Sequence, residues 1–393
     1  NNFTGRESIE QAIWNSNNPI IAQLSQRLGV QRFYEYISAF GLADRTGIDL
    51  PAEGAGIQHA SPEEIDMVTL SFGESSTLTP LQLITAYSAL ANGGRLLRPM
   101  AVKAVTDSNG AIIREFQPET IRKVISESTS TRVMELLKGV VLYGTGSPAY
   151  VEGYSVAGKT STSTDDDGYN TLSFAGIAPA ERPEIVVLVV LEKPSDKELS
   201  SRIASAACGE IISRTLEYMG ISRIYTDRDV SRLTALTAVP DLAGKSYGTA
   251  VRELAALGLR AEAGDSSMSA ESVVRFQWPE KNTKLHRSGV VVLYPTAEPE
   301  EQLVVIPDFT GKNVNECLST AAERGLNIRI VGNSLGVAAS QDPVPTFRRN
   351  PALNPDEEDP EAGNRPTHLR RGSIVSIFFQ TFEEVIAQTG ETD

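Results

Sequence analysis

Cysteine, histidine and tryptophan are scarce in this chain: its 393 residues include two, three and two of them. Cys208 and Cys317 lie in different segments, so no disulfide framework can be read. Neither has neighbours at metal-ligand spacing, and His59, His286 and His368 are isolated. Positive charge is short too. Lys and Arg total 36 against 50 acidic residues, a net charge of -14, and no basic stripe exists to neutralise phosphates, which argues against a nucleic-acid partner. No run of about 18 apolar residues occurs, so no membrane-spanning helix is expected. The chain has no initiator methionine and no signal-peptide pattern. It opens in the polar text NNFTGRESIEQA and reads as a piece of a longer protein. Chemistry is left to Ser, Thr, Lys, Asn and carboxylates.

With 40% hydrophobic and 22% charged residues the chain is globular, and its length suggests two or three domains. Residues 1 to about 95 read as helices. Ser8-Ile-Glu-Gln11 has the form of a capping box, and Thr79-Pro80-Leu81-Gln82 predicts a helix that stops at Gly93-Gly94. MAVKAV and IIREF look like paired strands about the turn Asp107-Ser108-Asn109-Gly110. A helix over STRVMELLKGVVLYG is followed by three expected strands, YSVAGKTSTST, LSFAGIA and EIVVLVVLE, and a last helix ending at Gly220. IVVLVVL is apolar on both faces and is expected centrally, in a sheet covered on both sides. The fold class of the first 220 residues is α+β, helices flanking a mostly antiparallel sheet.

Beyond about 235 the chain repeats itself. Val239-Pro-Asp-Leu-Ala-Gly-Lys245 recurs as Ile306-Pro-Asp-Phe-Thr-Gly-Lys312, an offset of 67 (306 − 239) that also carries Gly258 to Gly325. Each copy reads turn, helix, Gly-Leu, strand, polar loop, strand. The closing strands follow Gly289 and Gly372, 83 apart (372 − 289), so the second copy holds an insertion. The acidic, Pro-rich stretch 344–366 is the expected insertion, without regular structure.

Two short motifs hold chemical potential. Lys159-Thr160-Ser161, alone, is readable as a strand with solvent hydroxyls and one surface lysine. The chemical reading is a cleft-edge strand that pairs with an extended peptide, its lysine giving positive potential and its Thr hydroxyl binding a carboxylate. In Ser16-Asn17-Asn18-Pro19, Asn18 serves as an N-cap with Pro at N1, which leaves Ser16 without a role. The chemical reading makes Ser16 a proton-relay hydroxyl and Asn18 an amide that holds substrate and lysine.

In order, Ser16-x-Asn18, SFGESSTLTPLQLITAYSALANGG, GTGSPAYVEGYSVAGKTST and FAGIAPAERPEIVVLVVLEKP closely resemble the transpeptidase domain of class B penicillin-binding proteins, whose three boxes are S-x-x-K, S-D-N and K-T-G. The repeats, with VPDLAGK and GLR and their copies, resemble PASTA domains, a combination found in division and sporulation penicillin-binding proteins. The resemblance implies a penicillin-binding/β-lactamase-like transpeptidase fold over 1–222, a linker over 223–236, PASTA domains over 237–297 and 302–382, and a tail over 383–393. It places Ser16 and Asn18 in the second box and Lys159 and Thr160 in the third, with Ser161 at the glycine position. Ser16, Asn18 and Lys159 would be catalytic; Thr160, Ser161 and Ser163 would bind substrate, Ser163 as an oxyanion donor. No cofactor or metal is implied. The reaction would be D,D-transpeptidation of peptidoglycan stem peptides ending in D-Ala-D-Ala, through a serine acyl-enzyme. β-Lactams would bind the intact parent, and cell-division or sporulation proteins could meet the PASTA pair. The work would be done on the extracytoplasmic face of a bacterial membrane.

The sequence departs from the pattern twice. No serine is followed by a lysine three residues on, so the first box is expected before Asn1 and this chain alone is expected to be inactive. Ser161 adds a Cβ and a hydroxyl where glycine leaves room for substrate. Two rivals remain: a catalytically silent wall-binding or scaffold protein, and a D,D-carboxypeptidase that passes the acyl group to water.

Overall fold

The computed structural model describes residues 6–57, 61–74, 76–165, 167–196, 199–345 and 368–381, and the chain divides into two compact units between Ile224 and Tyr225. In the first unit five helices lead: α1 (Ile9–Trp14), α2 (Asn18–Leu28), α3 (Val30–Ala39), α4 (Glu64–Ser71) and α5 (Pro80–Ala91). Both expected capping boxes form. Ser8 and Gln11 bond reciprocally at the start of α1, and Thr79 and Gln82 do so at α5, whose C-cap is Asn92.

Four short strands follow, β1 (Arg95–Leu97), β2 (Ala104–Thr106), β3 (Ile112–Glu115) and β4 (Thr120–Lys123). They nest, with β2 against β3 inside β1 against β4. The Asp107 carboxylate accepts the N–H groups of Asn109 and Ala111 and closes the inner turn, as Asp does in such turns.

Then come α6 (Glu127–Tyr143), a 3-10 turn over Ser147–Ala149, β5 (Ala157–Thr164), β6 (Asn170–Ala178), β7 (Ile185–Glu192) and α7 (Arg202–Tyr218). The three strands form an antiparallel sheet in the order β5-β6-β7. One face, with Phe174 and Ala178 and with Val187 and Val189 of β7, packs on Ala204, Cys208, Ile212 and Leu216 of α7. The other, with Ala157, Ile177 and Val186, packs on Met134 and Leu137 of α6 and Tyr87 and Leu90 of α5.

One expectation needs correction: β7 is covered on both faces but lies at an edge, and β6 is central among the described residues. Apolarity on both faces reports which layers cover a strand and says nothing of how many strands pair with it. The other outer strand is β5, whose second edge has no strand against it among the described residues.

The second unit opens with α8 (Asp227–Thr234), capped by the Thr226–Asp229 box, within the segment expected as a linker. The first repeat holds β8 (Leu236–Ala238), α9 (Tyr247–Ala256), β9 (Arg260–Ala263), β10 (Phe276–Trp278), β11 (Lys284–His286) and β12 (Val290–Tyr294). The second holds β13 (Leu303–Val305), α10 (Val314–Glu323), β14 (Asn327–Gly332), β15 (Val337–Asp342), β16 (His368–Arg370) and β17 (Ile374–Gln380). In each, the closing strand lies between a parallel partner and an antiparallel one, giving the orders β10-β12-β9 and β14-β17-β15. The first strand of each repeat pairs with the short strand before the closing one.

The helices and the strands after them keep the offset of 67, but the closing strands are 84 apart rather than 83. Ser288 N–H bonds Gly258 O as Gly372 N–H bonds Gly325 O, so Ser288 is the true counterpart of Gly372 (372 − 288 = 84). Both residues are left-handed, with φ of 64° and 88°; matching glycine to glycine slipped the alignment by one. Most of the expected insertion, and the tail over 383–393, lie outside the described residues.

Each repeat also hides a glutamine that its sequence did not advertise. Gln277 Oε1 accepts from Leu242 N–H while its Nε2 donates to Pro240 O; Gln341 does the same with Phe309 N–H and Pro307 O. A buried amide thus staples each antiparallel strand to the Pro-Asp turn that opens its repeat.

Candidate active site

Ser16 sits where α1 ends. Its φ is 55°, in the left-handed region, and Asn17 N–H bonds Ala12 O (2.8 Å) while Ser16 N–H bonds Ile13 O (3.3 Å). That is a Schellman closure with serine in the position glycine usually fills, a choice that costs on the order of 1 kcal/mol. The turn is held from outside. Asn17 is buried and donates from Nδ2 to Glu7 Oε2 at 3.0 Å. Trp14 packs on α6 where Gly139 and Gly144 leave room, and its ring lies 5.0 Å from that of Tyr143.

Lys159 reaches this turn from β5. Its Nζ donates to Ser16 Oγ at 2.8 Å and to Thr160 O at 3.0 Å. Burial without a neighbouring carboxylate among its causes pulls its pKa down from 10.5 to about 8, because the interior penalises the ammonium form. A lysine that exchanges its proton near neutrality, bonded to a serine in strained backbone, is a pair suited to acid–base work.

Other candidate residues take different positions. Asn18 is exposed at the first position of α2, with Asn17, not Asn18, as the residue before the helix, and no side-chain cap bond forms. Asn18 makes no hydrogen bond to Lys159 among the described residues. Thr160 is buried, its Oγ1 2.8 Å from Thr145 Oγ1. Ser161 is exposed and, by strand alternation from Lys159, lies on the lysine's face of the sheet.

Ser163 is the correction. Asn170 O accepts from Lys193 N–H, so the backbone of Asn170 points to β7 and that of Thr171 to β5. The partner of Thr171, Ser163, therefore turns its amide inward to β6, while Thr160, Thr162 and Thr164 present theirs at the open edge. The amides available at that edge are therefore those of Thr160, Thr162 and Thr164, and not that of Ser163.

Gly144-Thr145-Gly146, the turn that follows α6, bridges the two motifs. Thr145 N–H bonds Trp14 O at 3.0 Å, two residues before Ser16, while its hydroxyl meets Thr160. The available signal was a pair of glycines, Gly139 in α6 where the Trp14 indole packs and Gly144 just after it where the Trp14 backbone passes. Among the described residues no cluster of three or more His, Cys, Asp or Glu could hold a metal ion, and no helix is long and apolar enough to cross a membrane.

Comparison with known proteins shows the family. The profile described as penicillin binding protein transpeptidase domain matches residues 1–213. Stage V sporulation protein D of Bacillus subtilis is 32% identical over 317 residues, 76% of this chain and 47% of that protein. Penicillin-binding protein PbpB of Mycobacterium tuberculosis is 35% identical over 198 residues, 46% of this chain and 29% of that one. Penicillin binding protein 3 of M. tuberculosis, solved with aztreonam, superposes with a TM-score of 0.51 at 30% identity, covering 55% of this chain and 52% of that one. The chain thus spans less than half the length of these two curated relatives.

Proposed function

The chain belongs to the penicillin-binding protein transpeptidase family, with that family's α+β fold, and from this premise we propose that it supplies two walls of a D,D-transpeptidase site acting on peptidoglycan stem peptides. The observation that carries the reading is the Lys159–Ser16 bond beside the open edge of β5. A stem peptide would lie along that edge as an added strand, its D-Ala-D-Ala carbonyl oxygen on Thr162 N–H. A serine oxygen from the first box attacks the carbonyl carbon and its proton passes toward the Lys159–Ser16 pair. That pair returns a proton to the departing D-alanine nitrogen, and an acceptor amine then displaces the serine from the ester. Asn18, exposed at the mouth of the turn, would meet substrate rather than lysine.

The first-box serine is proposed to precede Asn1, which would leave this chain inactive alone. The repeats are proposed to be PASTA domains, and the whole protein to work on the extracytoplasmic face of the membrane. Relatives named for sporulation and for wall synthesis support that placement.

Labelling the natural full-length protein with fluorescent penicillin tests the reading. A covalent adduct is expected, and none would leave the scaffold reading standing. A donor and an acceptor stem peptide should give a cross-linked product; trimming alone would mean a carboxypeptidase. The acylation rate is expected to rise with pH through an apparent pKa near 8, as Lys159 loses its proton. A pH-independent rate would remove the lysine from the proton path.

Ser161→Gly should quicken β-lactam acylation several-fold, since the added hydroxyl shares the face of Lys159. It should also cost the strand about 0.5–1 kcal/mol, the usual penalty for glycine there. Stopped-flow acylation and thermal unfolding read the two effects separately.

A further inference from the structure

We propose that α8 and the two repeats form one mechanical and folding unit, in which each repeat grips the element before it through the last residue of the short strand before its closing strand, His286 in β11 and Arg370 in β16. The two positions are related by the closing-strand offset of 84 (370 − 286). His286 is buried with Nδ1 3.0 Å from Thr234 O, at the C-terminal end of α8. Arg370 places its guanidinium 4.9 Å from the ring centres of Phe276 and Trp278 and 5.7 Å from that of Tyr294, three aromatic residues of the first repeat. Its Nε and Nη2 are buried with no hydrogen-bond partner, so ring faces rather than hydrogen bonds hold those atoms.

Asn327 completes the grip. Its Oδ1 accepts from Val290 N–H at 2.7 Å, and its Nδ2 donates to Val290 O at 2.9 Å and to Gly372 O at 2.7 Å. The side-chain amide of the second repeat therefore mimics a backbone rung at the start of β12. The strand β10 pairs only with Val292–Tyr294 and does not reach that point. Arg260 holds the equivalent place in the first repeat (327 − 67 = 260), so this rung exists once, at the junction. Arg371 pairs with Glu262 at 2.6 Å, and Gln302 donates to Gly264 O at 2.7 Å, both across the same seam.

The burial of β12 follows. Val290, Val291, Val292 and Leu293 are 0% exposed and Tyr294 1%, because α9 covers one face and Ala322 of α10 joins the cluster on the other. The equivalent strand β17 alternates buried and half-exposed residues, as a strand covered on one face does. The sheet face of the first repeat is thus closed by the second, which favours a rigid spacer over two jointed recognition modules. This inference does not depend on the transpeptidase reading.

Amide hydrogen exchange on the whole chain tests it. The amides of Gln277 and Leu293 in the first repeat and of Ile377 in the second are expected to exchange through one shared opening. Asn327→Ala and Arg370→Ala both alter the second repeat, yet should speed exchange of Gln277 and Leu293 on the order of tenfold. Arg370→Lys keeps the charge but loses the planar face and should fall between. Should Asn327→Ala not fold, the two Arg370 variants give the same reading. Variants that loosen only Ile377, or two separate openings in the unaltered chain, would overturn the proposal.

Discussion

Lys159→Met in the natural full-length protein should lower the penicillin acylation rate by about 10²–10⁴-fold, the usual weight of a positioned acid–base group, and should stabilise the fold at neutral pH. The two effects have one cause. Lys159 is charged at pH 7 in a place that disfavours charge, which pulls its pKa from 10.5 to about 8. That gap corresponds to about 3 kcal/mol of unfavourable burial, against which the lost Ser16 bond weighs about 1 kcal/mol. The sign follows from proton counting. Between about 8 and 10.5 the unfolded chain binds more protons than the folded one, so the unaltered protein gains stability as pH rises through that window. The advantage of methionine should therefore be full below pH 8 and shrink as pH climbs to 10.5. Calorimetry of both forms at pH 7 and pH 10 decides this. An acylation rate unchanged by the substitution would remove Lys159 from the chemistry. A stability difference independent of pH would mean that its charge is not what the fold resists.

Gly144→Ala is expected to be severely damaging to the first unit. A Cβ there would stand 2.1 Å from the carbonyl oxygen of Trp14 and 2.6 Å from its carbon, both backbone atoms that no rotamer change can move aside. Overpacking of this kind costs about 3 kcal/mol, which in a unit of this size lowers the melting temperature by about 10 °C. The chemical consequence is more specific than the thermal one. Displacing Trp14 carries Ser16 with it, so Lys159 should lose its 2.8 Å partner and gain water, and its pKa should move up from about 8 toward 10.5. Lysine side-chain NMR on this chain reads that shift directly. Gly139→Ala meets only side-chain atoms of the same tryptophan, the indole Nε1 at 2.0 Å and Cε2 at 2.4 Å, so the ring rather than the backbone must yield and the lysine should be disturbed less. If Gly144→Ala leaves both the melting temperature and the lysine titration in place, Trp14 is not the strut that positions the serine.

Several of these features were legible in the residues themselves. The boxes at Ser8–Gln11 and Thr79–Gln82 are local codes, complete within four residues, and both form as written. The Asp107 turn and the 67-residue repeat are equally local. Other features depend on what a segment meets. The left-handed backbone of Ser16 follows from α1 ending where α6 and Glu7 hold the turn, and no short pattern states it. Which way the Ser163 amide points was a question of parity, settled two strands away by Asn170 and Lys193. Gln277 and Gln341 are 64 apart, matching neither the helix offset nor the closing-strand offset, so no single alignment of the copies pairs them. The sequence therefore yielded the layers and the lysine strand, while the edge, the turn and the staples needed tertiary structure.

The seam between the repeats also bears on how such an array could grow. A third copy appended after the second would have to dock where β17 presents Ser376 and Phe378, the counterparts of Val292 and Tyr294, because Ile374 already packs on the core of the first repeat. Serine in place of valine on that face puts a hydroxyl where the existing seam has the methyl groups of Val292. Phe378 offers no phenol oxygen and stands 40% exposed. A concatemer made by duplicating the second repeat should thus behave as a rigid pair followed by a loosely tethered bead. Ser376→Val with Phe378→Tyr would be the smallest change that invites the bead to stack.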